Sequence, residues 1–135
     1  MTTAEVAYTG SLMTRAVHTR SGTAIVTDAP VDNQGKGSAF SPTDLVAAAL
    51  LTCKITTMAI ACQARGWAEP AMSGTVIKHM ADSPRRIARL EVQLWIEGFM
   101  GNDDERRTLE AIGRGCPVAR SLGEGVVVEA TFTFA

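Results

Sequence analysis

The sequence predicts an α+β fold with an antiparallel sheet packed on a long buried central helix. Two observations carry this. Residues 45–64 (LVAAALLTCKITTMAIACQA) hold 15 apolar residues in 20, enough for a helix apolar nearly all round. Residues 86–97 and 126–134 instead alternate apolar and polar with the period of half-buried strands. Strands, a long helix, strands, a helix and a final strand then follow in order, which is the α+β pattern.

The first 28 residues carry short strand-like runs at 5–10, 12–19 and 23–27, with Gly10 and Ser21-Gly22 as turn signals. Residues 30–42 (PVDNQGKGSAFSP) read as a loop, and a loop this long in a small domain is often functional. Ser41-Pro42 opens the long helix, with Pro near the first helical position and Asp44 facing the positive end of the dipole. Gly66 is the expected stop.

Residues 73–80 form a strand that runs into the turn Asp82-Ser83-Pro84. In the next strand Ala88, Leu90, Val92, Leu94 and Ile96 share one face, with Arg89, Glu91, Gln93 and Glu97 on the other. Trp95 falls on the polar face, a hint that this face is partly covered. Asn102-Asp-Asp-Glu105 starts a helix expected to reach about Ile112, ended by Gly113 and Gly115. Cys116-Pro117 can start another short helix, with Cys116 near its N-cap. Val126, Val128, Ala130, Phe132 and Phe134 share one face of the last strand.

The chain has 135 residues, the length of one domain (1–135), and can bury roughly two-thirds of its unfolded surface. A net charge of −1, from 13 basic and 14 acidic residues without a basic stripe, argues against nucleic-acid binding. The helix at 45–64 is long enough to cross a bilayer. Lys54 at its centre and the threonines around it favour a buried core or subunit-interface helix, so no membrane is expected. Met1–Gly10 lacks the basic and apolar regions of a secretory signal.

Three cysteines, Cys53, Cys62 and Cys116, cannot all pair, and there is no Cys-x-x-Cys. A disulfide scaffold and a four-ligand zinc site are both disfavoured, and the spare thiols point to a reducing, cytoplasmic compartment. Cys53 and Cys62 are nine residues apart, roughly 180° round a helix, so they face opposite ways. Cys116 stands at a predicted helix start, where the dipole favours a thiolate. A buried helical cysteine is more often a small hydrophobe, a reading that fits Cys62 best. Gly35-Lys36-Gly37-Ser38 lacks the spacing of a phosphate loop. His18 and His79 stand alone and read as satisfied or exposed histidines.

Two motifs together go further. The stretch FSPTDLVAAALLTCKITTMAI (40–60), followed by GCPVARSL (115–122), resembles the OsmC/Ohr family of osmotically inducible and organic-hydroperoxide-resistance proteins. Pro42 precedes Cys53, and Cys116 lies in a Cys-Pro-Val context, as in that family. The opening YTGSLMTRAVHTRSGTAIVTDAP is similar as well, so the resemblance covers essentially the whole chain.

The resemblance implies an OsmC-like fold, an intertwined homodimer and a thiol-dependent peroxidase for oxidative stress defence. Cys53 as thiolate would attack an organic hydroperoxide and become a sulfenic acid, and Cys116 would condense with it to a disulfide. An external dithiol, of lipoyl type by the resemblance, would reduce that disulfide. No metal, flavin or haem is implied. An apolar helix around Cys53 suits an organic rather than an inorganic peroxide. A small domain also has too little chain to cover such a helix, which independently favours a dimer with sites near its interface.

The family uses an N-terminal arginine to hold the thiolate; Arg15 and Arg20 compete, and Arg15, on a strand-like run, is preferred. Arg120, one helical turn after Cys116, is a lesser candidate. Family members carry a Glu directly after the helix-start proline to hold the arginine. Here that position is Thr43, and the acid is the next residue, Asp44. The departure feeds the alternative of a stress-associated small-molecule binding protein whose cysteines are inactive.

Overall fold

The computed structural model describes all residues, Met1–Ala135. They form two compact units, Met1–Val46 and Ala47–Ala135.

The first unit is an antiparallel meander of β1 (Ala4–Gly10), β2 (Met13–His18) and β3 (Ala24–Asp28). Arg15 of β2 stands between Ala7 of β1 and Val26 of β3. Val6, Tyr8, Ile25 and Val26 leave large apolar surfaces exposed on this sheet. The loop after β3 contains one 3₁₀ turn, Val31–Asn33, and folds back onto the buried Asp28. Asp28 Oδ2 accepts from the Ser38 amide at 3.0 Å and from its hydroxyl at 2.6 Å. A Cβ on Gly35 would stand 1.7 Å from the Ala29 carbonyl oxygen, so this return requires glycine. The glycines and Ser38 of this loop thus shape its fold around Asp28, in keeping with their lack of phosphate-loop spacing.

Helix α1 (Pro42–Arg65) starts in the first unit and continues in the second. Its first turn is a capping box. Ser41 Oγ accepts from the Asp44 amide at 3.1 Å, and Asp44 Oδ2 accepts from the Ser41 amide at 2.9 Å. Two orphan donors are thereby satisfied, and Pro42 removes a third. Gly66, with φ of 69°, ends the helix in the left-handed region.

In the second unit, β4 (Ala71–Ala81) and β5 (Arg86–Glu97) form an antiparallel hairpin, and β6 (Val127–Phe134) lies along the other edge of β5. The expected core face is observed: Leu90, Val92, Leu94 and Ile96 are buried against Leu50, Leu51, Met58, Ala61 and Cys62 of α1. Gly74 lets Leu51 approach, since a Cβ there would lie 3.1 Å from the Leu51 Cδ1. The helix is long and apolar enough for a membrane span, but its buried residues are spent on this sheet. On the polar face, Glu91 and Glu129 are register partners, and Arg89 bridges them at 2.9 and 3.1 Å. His79 adds a contact to Glu91 at 3.2 Å. These partners half-bury Arg89, Glu91 and His79, while Trp95 stays 37% exposed.

The antiparallel expectation holds for β1–β3 and for β4–β5; β6 departs from it and runs parallel to β5. The connection is a crossover through α2 (Asp103–Arg114) and the short α3 (Pro117–Ser121), the kind of return that parallel pairing requires. Asn102 and Glu105 complete a capping box at the start of α2. That helix runs through Gly113 to Arg114, two residues past the expected end, and Gly115 is its cap. Close packing accounts for glycine at position 113: a Cβ there would lie 2.7 Å from the Met58 sulfur and 2.9 Å from the Phe132 ring.

Candidate functional site

Cys53 lies midway along α1 and is half-buried; its Sγ is 3.9 Å from Thr57 Oγ1, one turn on. Cys62 points into the apolar core. Burial pushes its thiol pKa up, Glu69 adds to the rise and Arg65 opposes it. This is the chemistry of an inert thiol. Cys116 is the N-cap of α3, with Pro117 at the first helical position, and it is fully buried. All three cysteines are free thiols.

The residue that sequence reasoning missed is Lys54. It is 1% exposed, beside Cys53 on α1. Its Nζ donates to the Gly113 carbonyl at 3.1 Å and the Arg114 carbonyl at 3.4 Å. Those are orphan acceptors of the last turn of α2, where a cation also meets the negative end of the dipole. The next carbonyl, Gly115, accepts from Arg120 Nε at 2.7 Å. Three successive carbonyls leading into Cys116 therefore end on two cations. Burial pulls the Lys54 pKa down, Cys116 raises it, Arg114 lowers it and Cys53 raises it. Both candidate thiols are thus within electrostatic reach of one buried amine.

The available signal was a charge in the middle of an apolar helix, directly after a candidate cysteine. A buried charge must be paired. Its partners are 59 and 60 residues away along the chain, and no helical spacing points to them.

An open depression of about 490 Å³ lies beside this cluster, lined by Thr57, Thr108, Ala111, Ile112, Gly115 and Arg120, together with Arg65. Thr57 is the neighbour of Cys53, and Gly115 directly precedes Cys116. Ala111 and Ile112 give it an apolar wall.

The other expected site residues are placed as follows. Asp44 is built into the capping box that starts α1. Arg15 is exposed on β2 in the first unit, where it lines a shallow depression of about 320 Å³ with Glu5, Val6, Ala7, Thr9 and Val17. Arg20 lies in the exposed turn after β2. Cys53 and Cys116 belong to the second unit; Arg15 and Asp44 belong to the first. His18 Nδ1 is 2.6 Å from Ser21 Oγ. Both histidines thus have hydrogen-bond partners.

Comparison with known proteins bears on this arrangement. The sequence pattern of the OsmC-like protein family matches residues 35–131. A Psychrobacter arcticus protein, provisionally described as an osmotic stress induced and detoxification response protein, is 36% identical over 98% of this chain and 96% of its own, with a TM-score of 0.90. An organic hydroperoxide resistance protein OsmC from Legionella pneumophila is 20% identical over 98% of each chain, at a TM-score of 0.72. One from Elizabethkingia anophelis is 15% identical over 100% of this chain and 98% of its own, at 0.73. The last two likenesses speak for the fold. No curated protein matches the sequence. The family match spans the end of the meander loop, all of α1 and the Cys116 turn, so the chain belongs to the OsmC-like family.

Proposed function

We propose that this protein is a thiol-dependent peroxidase that reduces organic hydroperoxides in oxidative stress defence. Cys53 is the attacking thiolate and Cys116 the resolving thiol. The observation that carries the reading is that neighbours of two free thiols 63 positions apart in sequence line one depression: Thr57, beside Cys53, and Gly115, directly before Cys116. The thiolate is the reactive form of a cysteine. The depression beside Thr57 and Gly115 offers a place for an organic peroxide, with its hydrocarbon part against Ala111 and Ile112.

The sequence stretches 40–60 and 115–122 support the same reading, as do the hydroperoxide-resistance proteins that share the fold. In this proposal Arg15 and Asp44 also serve the peroxidase reaction, Asp44 in addition to capping α1. An external dithiol of lipoyl type closes the cycle by exchange. The working unit is a cytoplasmic homodimer, in which a second copy covers the apolar side chains that β1 and β3 leave exposed.

Reduced protein treated with one equivalent of cumene hydroperoxide, followed by disulfide mapping by mass spectrometry, tests this. A Cys53–Cys116 bond, absent in Cys53→Ser, is the expected result. Unchanged thiols would overturn it and leave a small-molecule binding protein with inactive cysteines. A sedimentation experiment giving a monomer at micromolar concentration would remove the dimer.

A further inference from the structure

The depression beside Thr57 and Gly115 has a charge that the peroxidase reading does not use. Arg65 and Arg120 both line it, and no acid does. Neither of these arginines pairs with a carboxylate, whereas Arg89, Arg107 and Arg114 each do. The acids on the adjoining stretch of α2 are engaged elsewhere: Asp104 pairs with Arg107, and Glu110 with Arg114. Two guanidinium groups thus face one depression without a counter-charge from the chain.

Both side chains are positioned. Arg120 Nε donates to the Gly115 carbonyl at 2.7 Å, and a Cβ on Gly115 would stand 2.8 Å from Arg120 Nη2. The guanidinium therefore folds across Gly115, where a side chain would push it away. Gly115 has φ of −94°, a value open to any residue, so its backbone does not itself require glycine. Fixing Arg120 through Nε leaves its two Nη groups to donate. Arg65 is the last residue of α1, and its guanidinium stands 5.5 Å from the Trp67 ring centroid. That cation–π contact holds the group without using its donors.

We propose that this depression is a binding site for an amphiphilic organic acid, whose carboxylate docks on Arg65 and Arg120 while its hydrocarbon chain lies on Ala111 and Ile112. A guanidinium presents planar, paired donors that match a carboxylate. The apolar wall gains from covering a hydrocarbon chain. The volume of about 490 Å³ falls within the span of small-molecule sites, about 300–1,000 Å³. An uncharged ligand would leave both guanidinium groups unmatched, and a cation would be repelled by them. The inference goes beyond the peroxidase reading, because it rests on the lining of the depression and holds whether or not the thiols react.

Isothermal titration of the reduced full chain with octanoate, octanol and octylammonium tests this, since the three probes share a chain and differ in the head group. Octanoate should bind about tenfold more tightly than octanol, and octylammonium more weakly than either. The advantage of octanoate should shrink as salt is raised, because exposed charges are screened. Arg65→Gln and Arg120→Gln should each weaken octanoate severalfold and leave octanol unchanged. Both side chains are exposed, so neither change threatens the fold.

Gly115→Ala separates position from charge. It keeps both cations, but its methyl displaces the Arg120 guanidinium, so octanoate should weaken as it does in Arg120→Gln. Arg107→Gln removes a cation of α2 that does not line the depression and should change nothing. Equal affinities for octanoate and octanol in wild type overturn the inference, and so does a loss in Arg107→Gln as large as that in Arg120→Gln. A protein that prefers octanoate yet forms no Cys53–Cys116 disulfide with cumene hydroperoxide keeps this site and loses the peroxidase reading. One that forms the disulfide but does not tell octanoate from octanol loses this inference alone.

Discussion

The Met58 sulfur lies 2.7 Å from the point where a Cβ on Gly113 would stand. Helices α1 and α2 therefore touch where only glycine fits. The same contact fixes the Gly113 carbonyl that accepts from Lys54. Packing and the electrostatics of the site thus share one residue.

Gly113→Ala should be destabilising, although alanine is the better helix former. The helix gain is at most about 1 kcal/mol. Forcing a methyl against Met58 and Phe132 in a filled core costs about 1–3 kcal/mol. We expect a net loss near 1 kcal/mol by urea unfolding. A more stable Gly113→Ala protein would show that Met58 yields freely.

Asp44 has a cap to make, and a role in the peroxidase reaction is proposed on top of it. Ser41→Ala and Asp44→Ala each break the capping box and should each cost about 1 kcal/mol. Only Asp44→Ala, with Arg15→Ala, should also slow peroxide reduction, by about tenfold or more. Equal rates for Ser41→Ala and Asp44→Ala would reduce Asp44 to a helix cap.

The loop between β3 and α1 should loosen in acid. The Ser38 hydroxyl and amide hold the Asp28 carboxyl below the usual carboxylate range, against the opposing effect of burial. The folded carboxyl is the stronger acid, so its stabilisation is present above the unfolded value of about 3.9 and is lost as pH falls through the lower folded value. Limited proteolysis within residues 29–40 should accelerate below about pH 4 in wild type. In Asp28→Asn it should be fast at every pH. Cleavage independent of pH in wild type would show that Asp28 does not anchor the loop.

Cys62 should be a bystander. Burial and Glu69 keep its thiol protonated, and its side chain is part of the core. Iodoacetamide at neutral pH should label Cys53 before Cys62. Cys62→Ala should leave the Cys53–Cys116 disulfide yield unchanged while losing about 1 kcal/mol of stability. A Cys62-containing disulfide after peroxide treatment would contradict this.

Much of this architecture is written in local pattern. Leu90, Val92, Leu94 and Ile96 alternate, and all four are buried on one face. The capping residues Ser41 and Asn102 and the stop at Gly66 stand where expected. Local signals work here because a strand repeats every two residues and a cap is settled within one turn. The end of α2 failed for the complementary reason. Glycine is a poor helix former, yet Gly113 is helical and stands where a Cβ would press on Met58 and Phe132.

The sequence alone determined the elements, the core face of β5, the family and the pair of cysteines worth naming. Tertiary structure decided the parallel direction of β6 and the partners of Lys54. Both depend on groups far apart in the chain: β5 meets β6 only after the α2–α3 crossover, and Lys54 meets Gly113 across 59 positions. No periodicity reports such a contact. It exists because a buried ammonium needs acceptors, and folding brings the open carbonyl end of α2 to it.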